Sequence, residues 1–180
     1  MIKNFEYAIS LHKQKKYDEA YAIFLELSNN NDANAQEMVA NMLFHGSGIK
    51  QNKELAYSWY EKAAENNNPE AQYWYGQYKL KNDYISEGLS LIASAAENNY
   101  PEALRCLGIY YSDGKYIDKD IDKSILLLQK ALFEYGHKDA LPNLLYTLNI
   151  KHNKLRIFFI LLGNIFKMIF KEIRNKKKIK

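Results

Sequence analysis

Residues of similar size recur along this chain at fixed intervals, in triples dominated by Ala, Gly and Ser. The triples are Ala8, Ala20 and Leu27; Ala40, Ala56 and Ala63; Gly76, Gly88 and Ala95; Gly108, Ser124 and Ala131. The second interval is 7 residues in every triple, and the first alternates between 12 (8 to 20, 76 to 88) and 16 (40 to 56, 108 to 124). The middle members stand 36, 32 and 36 residues apart (20 to 56, 56 to 88, 88 to 124). Self-similarity at a period of roughly 20–50 residues marks a repeat architecture. The interval therefore predicts an all-α, right-handed α-α superhelix, a solenoid of about four helix-turn-helix repeats. Solenoids commonly present an extended surface to other macromolecules, so binding is expected before catalysis.

Residues 69–98 show how one repeat is written. Asn68 followed by Pro69 suits a helix start, an Asn cap and then a residue whose φ is already set. Glu70 in the first turn complements the helix dipole. Ala71, Tyr75, Gly76 and Lys79 then fall at helical spacing, and Asn82-Asp83 interrupts the run. Ile85, Gly88, Leu89, Ile92, Ala95 and Ala96 share one face of a second helix, which Asn98-Asn99 ends before Tyr100-Pro101 starts the next pair.

The small residues have a packing reason. Antiparallel helices approach to about 8–9 Å only where the crossing side chains are small. A mid-helix Gly costs about 0.5–1 kcal/mol against Ala, so Gly76, Gly88 and Gly108 are expected at helix contacts. Phe24, Tyr60, Ile92 and Leu128, each four residues after the middle member of its triple, are expected to fill the space between repeats.

The run Ala103-Leu104-Arg105-Cys106-Leu107-Gly108-Ile109-Tyr110-Tyr111-Ser112-Asp113-Gly114 resembles the first helix and loop of a Sel-one-like repeat, the longer-looped class of the tetratricopeptide superfamily. Ala35 through Gly48 with Ala56-Tyr57-Ser58-Trp59-Tyr60-Glu61-Lys62-Ala63-Ala64 resembles helix, loop and second helix together. The short-turned units 5–28 and 71–96 are closer to ordinary tetratricopeptide repeats. The resemblance covers roughly residues 5–150 and speaks to fold more than to function. Val39-Ala40 stands where Leu-Gly is usual and Leu43 where Tyr is usual, and Ala140, Leu144 and Leu145 begin a further first helix that no recognisable second helix follows. Pro142 fits there only in a first turn, after Asp139.

Charge divides the chain into two domains, a repeat domain over 1–150 and a basic amphipathic helix and tail over 151–180. The first holds fifteen Lys/Arg against twenty acids, and the second ten Lys/Arg against Glu172 alone. Cys106 is the single cysteine, so no internal disulfide forms. Met1–Ser10 lacks the basic start and apolar run of a secretory signal, and a cytoplasmic location is expected.

Few residues suggest chemistry. His12, His45, His137 and His152 have no neighbours at metal-ligand spacing, Cys106 sits among apolar helix residues, and Gly46-Ser47-Gly48 reads as a turn rather than a phosphate loop. Asp120 and Asp122 read as cap and dipole partners of a helix starting near Ile121. The chain is read as a non-enzyme with no cofactor and no metal. In the family it resembles, the first helix of each pair lines the concave side. That implies a partner-binding face of Asn34, Glu37, Asn41 and Phe44, then Glu70, Tyr73 and Gln77, then Glu102, Arg105 and Ile109. Glu residues with Arg105 alone among cations suit a neutral or basic ligand and not a carboxylate clamp.

Leu155 to Phe170 is apolar over about 220° of a helical wheel, with Arg156, Asn164, Lys167 and Lys171 on the polar stripe. Three readings stay open: a cap closing the solenoid, a spanning anchor, and a helix lying in the membrane interface. Sixteen residues rise only about 24 Å, short of a bilayer core of about 30 Å. The interfacial reading places Ile157, Phe158, Leu161, Leu162, Phe166 and Ile169 in acyl chains and Lys167 and Lys171 among anionic headgroups. The acidic body argues against nucleic acid as partner. The expected function is a bacterial adaptor or scaffold that holds a protein in its groove, peripheral on the cytoplasmic face of the inner membrane. Two alternatives stand beside it: an immunity-type protein neutralising a cognate toxin, and a soluble binder whose C-terminal helix only caps the solenoid.

Overall fold

The computed structural model describes residues 4–151, 157 and 160–165, and every element among them is helical. They fall into two compact units, Met1–Tyr100 and Pro101–Lys180. The first holds three helix pairs: α1 (Phe5–Lys13) with α2 (Tyr17–Asn29), α3 (Ala33–His45) with α4 (Lys53–Glu65), and α5 (Pro69–Lys81) with α6 (Ile85–Glu97). The second holds α7 (Pro101–Asp113), α8 (Ile121–Gln129) continuing through a π-helical turn at Lys130–Glu134, and α9 (Ala140–Lys151). Consecutive helices within each unit pack on one another, the helix-turn-helix order that the spacing predicts.

Capping and turn chemistry place the boundaries. The Asn68 Oδ1 accepts from the Ala71 amide at 2.8 Å, with Pro69 in the first turn. Asp120 caps α8 through the Lys123 amide at 3.0 Å. Asn4, Asp32 and Asn52 cap α1, α3 and α4 in the same way. Short turns within pairs pass through Lys15 and Asp83, and turns between pairs through Asn31, Asn67 and Asn99, all with φ of 62–65°. Asn and Asp tolerate this left-handed region better than most residues do. The longer α3–α4 loop instead uses Gly48 at φ +75°, where an added Cβ would lie 2.2 Å from Tyr17 Cβ.

The triples are the packing contacts. Ala8, Ala20, Ala40, Ala56, Ala63, Ala95 and Ala131 are fully buried, as are Phe24, Ile92 and Leu128, and Tyr60 nearly so. A Cβ on Gly76 would lie 2.8 Å from Ile92 Cγ1 and 2.9 Å from the Gly88 carbonyl oxygen. On Gly108 it would meet Leu128 Cγ at 2.8 Å. Cys106 is buried, and Pro142 sits in the first turn of α9. Among the described residues no helix is long and apolar enough to cross a membrane.

Candidate protein-binding face

In the first unit the α3 and α5 first helices bring their polar residues together. The Asn68 Nδ2 donates to the Asn34 Oδ1 at 3.0 Å, joining the N-terminal ends of the two helices. One turn further along α3, Glu37 is 6% exposed. Its Oε1 accepts from the Asn41 Nδ2, and the Asn41 Oδ1 accepts from the Tyr60 hydroxyl, a chain of hydrogen bonds linking α3 to α4. Burial, with the Glu70 carboxylate of α5 adding to it, pushes the Glu37 carboxyl up to about 8. The Tyr60 phenol is raised by burial first and by the charges of Glu37 and Glu70 next. Lys and Arg are absent from α3.

Aromatic rings pair along α3, α4 and α5 as well. Tyr73 stacks edge-on to Trp74 with centroids 5.1 Å apart and tilts against Tyr100 at 5.6 Å. Phe44 meets Tyr57, which stacks on Tyr78 at 3.9 Å. Tyr73 is buried and Phe44 half-buried, while Trp74 keeps 40% of its surface exposed.

A separate cleft of about 480 Å³ lies between α4, α5 and α6, lined by Glu61, Tyr75, Lys79, Glu87 and Leu91 among others. Its polar groups pair with one another. Lys79 Nζ is 2.8 Å from Glu87 Oε2, a contact that raises its pKa. The Tyr75 hydroxyl donates to the Glu61 carboxylate, and burial, with that bond second, lifts the phenol to about 12. Among the described residues no group of three or more His, Cys, Asp and Glu is placed to hold a metal ion.

The Sel1 repeat family model matches residues 33–68, 69–100 and 101–132, more than half of the chain. The chain belongs to the Sel1 repeat family. The short-turned pair α5–α6, which by sequence is closer to a plain tetratricopeptide unit, is matched as a Sel1 repeat like its longer-looped neighbours. Among solved structures the chain is similar to a Sel1 repeat protein from Oxalobacter formigenes, at 27% identity and a TM-score of 0.74, covering 83% of this chain and 62% of that one. It is also similar in fold to a protective antigen of uropathogenic Escherichia coli strains displaying an SLR fold, at 19% identity and a TM-score of 0.69, covering 84% of this chain and 35% of that one. It thus spans less than two thirds of either structure's length. No curated protein matches it.

The Sel1 repeats distribute the sequence-derived site residues unevenly. Asn34 is exposed, and Asn41, Phe44, Glu70 and Gln77 are half-buried, whereas Glu37 and Tyr73 lie in the interior beneath that face. In the second unit Glu102, Arg105 and Ile109 are half-buried on α7, and the Arg105 Nε is buried without a hydrogen bond. Glu102 Oε1 lies 4.0 Å from His137 Nε2. Trp74 joins the face on the same flank of α5, four residues after Glu70 and three before Gln77, away from the Ala71–Tyr75 core stripe. Its signal is its type, since a half-exposed Trp is the residue most enriched at binding hot spots. Of the tail residues, Ile157, Leu161 and Leu162 are helical and half-buried, while Phe158, Phe166, Lys167, Ile169 and Lys171 lie outside the described residues.

Proposed function

We propose that this Sel1 repeat chain is a non-enzymatic protein-interaction module that takes a neutral or basic segment of a partner protein on the α3–α5 face. One observation carries the reading: α3 and α5, first helices of adjacent Sel1 repeats, bring Glu37 and Glu70 together and carry Phe44, Tyr73 and Trp74 beside them in sequence, in a fold that generally serves protein–protein interaction. Rings supply rigid contact area, and the half-buried Glu70 carboxyl, with no Lys or Arg on α3, favours a cation over an anion. Affinity capture with the full chain tests it. Trp74→Ala with Gln77→Ala is expected to lose the captured partner while a Leu126→Ala control retains it. Equal capture by both would remove the α3–α5 face from consideration.

The basic tail supports a second element of the reading, peripheral attachment to an anionic membrane. Of the ten Lys/Arg in residues 151–180, Arg156 and Lys167 fall within the apolar run 155–170 and the other eight flank it, with Glu172 the one acid, the composition of an interfacial helix with headgroup-binding cations. Flotation with phosphatidylglycerol vesicles, comparing the full chain with one ending at Ile150, tests it. Flotation of the full chain alone is expected, and equal behaviour of the two would overturn it.

A further inference from the structure

A notch of about 330 Å³ opens where the end of α2, the start of α3 and the end of α4 meet. Its buried wall is Gln36, 2% exposed, whose Nε2 donates to the Ser28 carbonyl oxygen at 3.3 Å and whose Oε1 accepts from the Asn66 Nδ2 at 2.9 Å. The same two bonds recur one repeat on, where Gln72 donates to the Ala64 carbonyl oxygen and accepts from Asn98. That pair therefore belongs to the fold. The rest of the notch does not recur. Trp59 and Lys62 stand where the next junction, 32 residues on, has Leu91 and Ser94, and Asn29 stands where it has Glu65, 36 residues on. An indole and an amide are thus present that the same junction forms without.

Those extra groups are available. Trp59 is half-buried, and Asn29 and Asn31 are exposed. Among the described residues no hydrogen bond uses the Trp59 indole N–H or the Asn29 and Asn31 side-chain amides. The Lys62 Nζ lies 4.4 Å from the Trp59 ring centroid, so the face of the ring is open to a group arriving from solvent, and Lys62 itself is exposed on a flexible stem. We propose that this notch binds one ring of a neutral saccharide, with Trp59 under a C–H face of the sugar and Asn29 and Asn31 bonding its hydroxyls. The negative face of an indole attracts the weakly positive C–H groups of a sugar. A primary amide holds two donors and an acceptor in one plane and so meets a hydroxyl in either role. Lys62 and Glu65 offset each other's charge at the rim, which leaves nothing to select an ion. The volume lies in the range of small-ligand sites, about 300–1,000 Å³. None of these residues belongs to the α3–α5 face, so a saccharide here and a protein there are independent.

Saturation-transfer NMR on the full chain tests it, with maltotriose, cellotriose and chitotriose as neutral probes, trigalacturonate as an anionic one and a short glutamine peptide as a protein-like one. The expected result is transfer to at least one neutral trisaccharide, concentrated on one ring. Asn29→Glu with Trp59→Leu copies the next junction and is expected to weaken that binding at least about tenfold while the protein melts like the parent. If the double variant does not fold, Asn29→Glu alone, at an exposed position, is read in its place. On a Trp74→Phe background Trp59 is the single indole, and its emission is expected to change saturably with the same sugar. Transfer to none of the neutral trisaccharides overturns the proposal, as does binding that survives the substitutions. Transfer to trigalacturonate alone assigns the notch to an anion, and transfer to the peptide alone assigns it to a protein partner; either also overturns it.

Discussion

Gly76 and Gly88 face each other across the α5–α6 pair so closely that a Cβ on either would lie 2.8–2.9 Å from the other's carbonyl oxygen. Neither neighbour is a flexible side-chain tip that can swing aside. A helical Gly→Ala exchange ordinarily stabilises by about 0.5–1 kcal/mol. Here the sign is expected to reverse. Gly76→Ala and Gly88→Ala should each destabilise by about 1–3 kcal/mol through overpacking, read as a lower melting temperature. Gly108→Ala should cost less, because the atoms it meets first belong to the Leu128 side chain. Gly108→Leu should exceed all three.

Glu37 predicts a pH dependence with a definite sign. Its carboxyl is raised in the folded chain from 4.5 to about 8 by burial, with Glu70 adding. The folded state therefore holds a proton that the unfolded state releases. The neutral form's stability is fully present below about pH 4.5 and is lost as pH rises towards 8, at up to about 1.4 kcal/mol per unit. Denaturant titrations from pH 5 to 9 should show this slope. Glu37→Gln keeps an acceptor for Asn41 without the charge and should flatten it, gaining most over the parent at the alkaline end.

Asn68 serves two bonds at once, accepting from the Ala71 amide and donating to Asn34. Asn68→Ala removes a buried cap together with the α3–α5 link and should cost about 2 kcal/mol. Asn34→Ala, on the exposed side of the same bond, should cost about 0.5 kcal/mol. Thermal melts of the two variants measure the difference.

Trp74 separates binding from stability. At 40% exposed, its replacement by Ala should change the folding free energy by no more than about 0.5–1 kcal/mol. The same variant should weaken partner capture by about tenfold or more, the loss of a hot-spot ring.

The triples were legible because two helices in contact admit only small residues at the crossing, whatever surrounds them. The fillers Phe24, Tyr60, Ile92 and Leu128 followed from the same register. The depth of Glu37 was not legible. A helical wheel gives its azimuth on α3 but not the Tyr60 and Glu70 groups that α4 and α5 bring towards it. Tyr73 went the same way, roofed by Trp74 and Tyr100. Trp74 lies on the Glu70–Gln77 flank, but a wheel does not tell an exposed ring from one folded under its neighbours.

Asn31, Asn67 and Asn99 turn the chain through the same left-handed step. Past the first two of these steps, Gln36 reaches the Ser28 carbonyl and Asn66, and Gln72 reaches the Ala64 carbonyl and Asn98. Such joints are interchangeable parts. Removing residues 33–68 would set Asp32 directly before Pro69, and an acidic cap would stand where Asn68 stood. A gene for such a protein can therefore lengthen or shorten by whole repeats through unequal recombination, each new seam arriving already fitted, so that selection acts on the number of repeats as readily as on their residues.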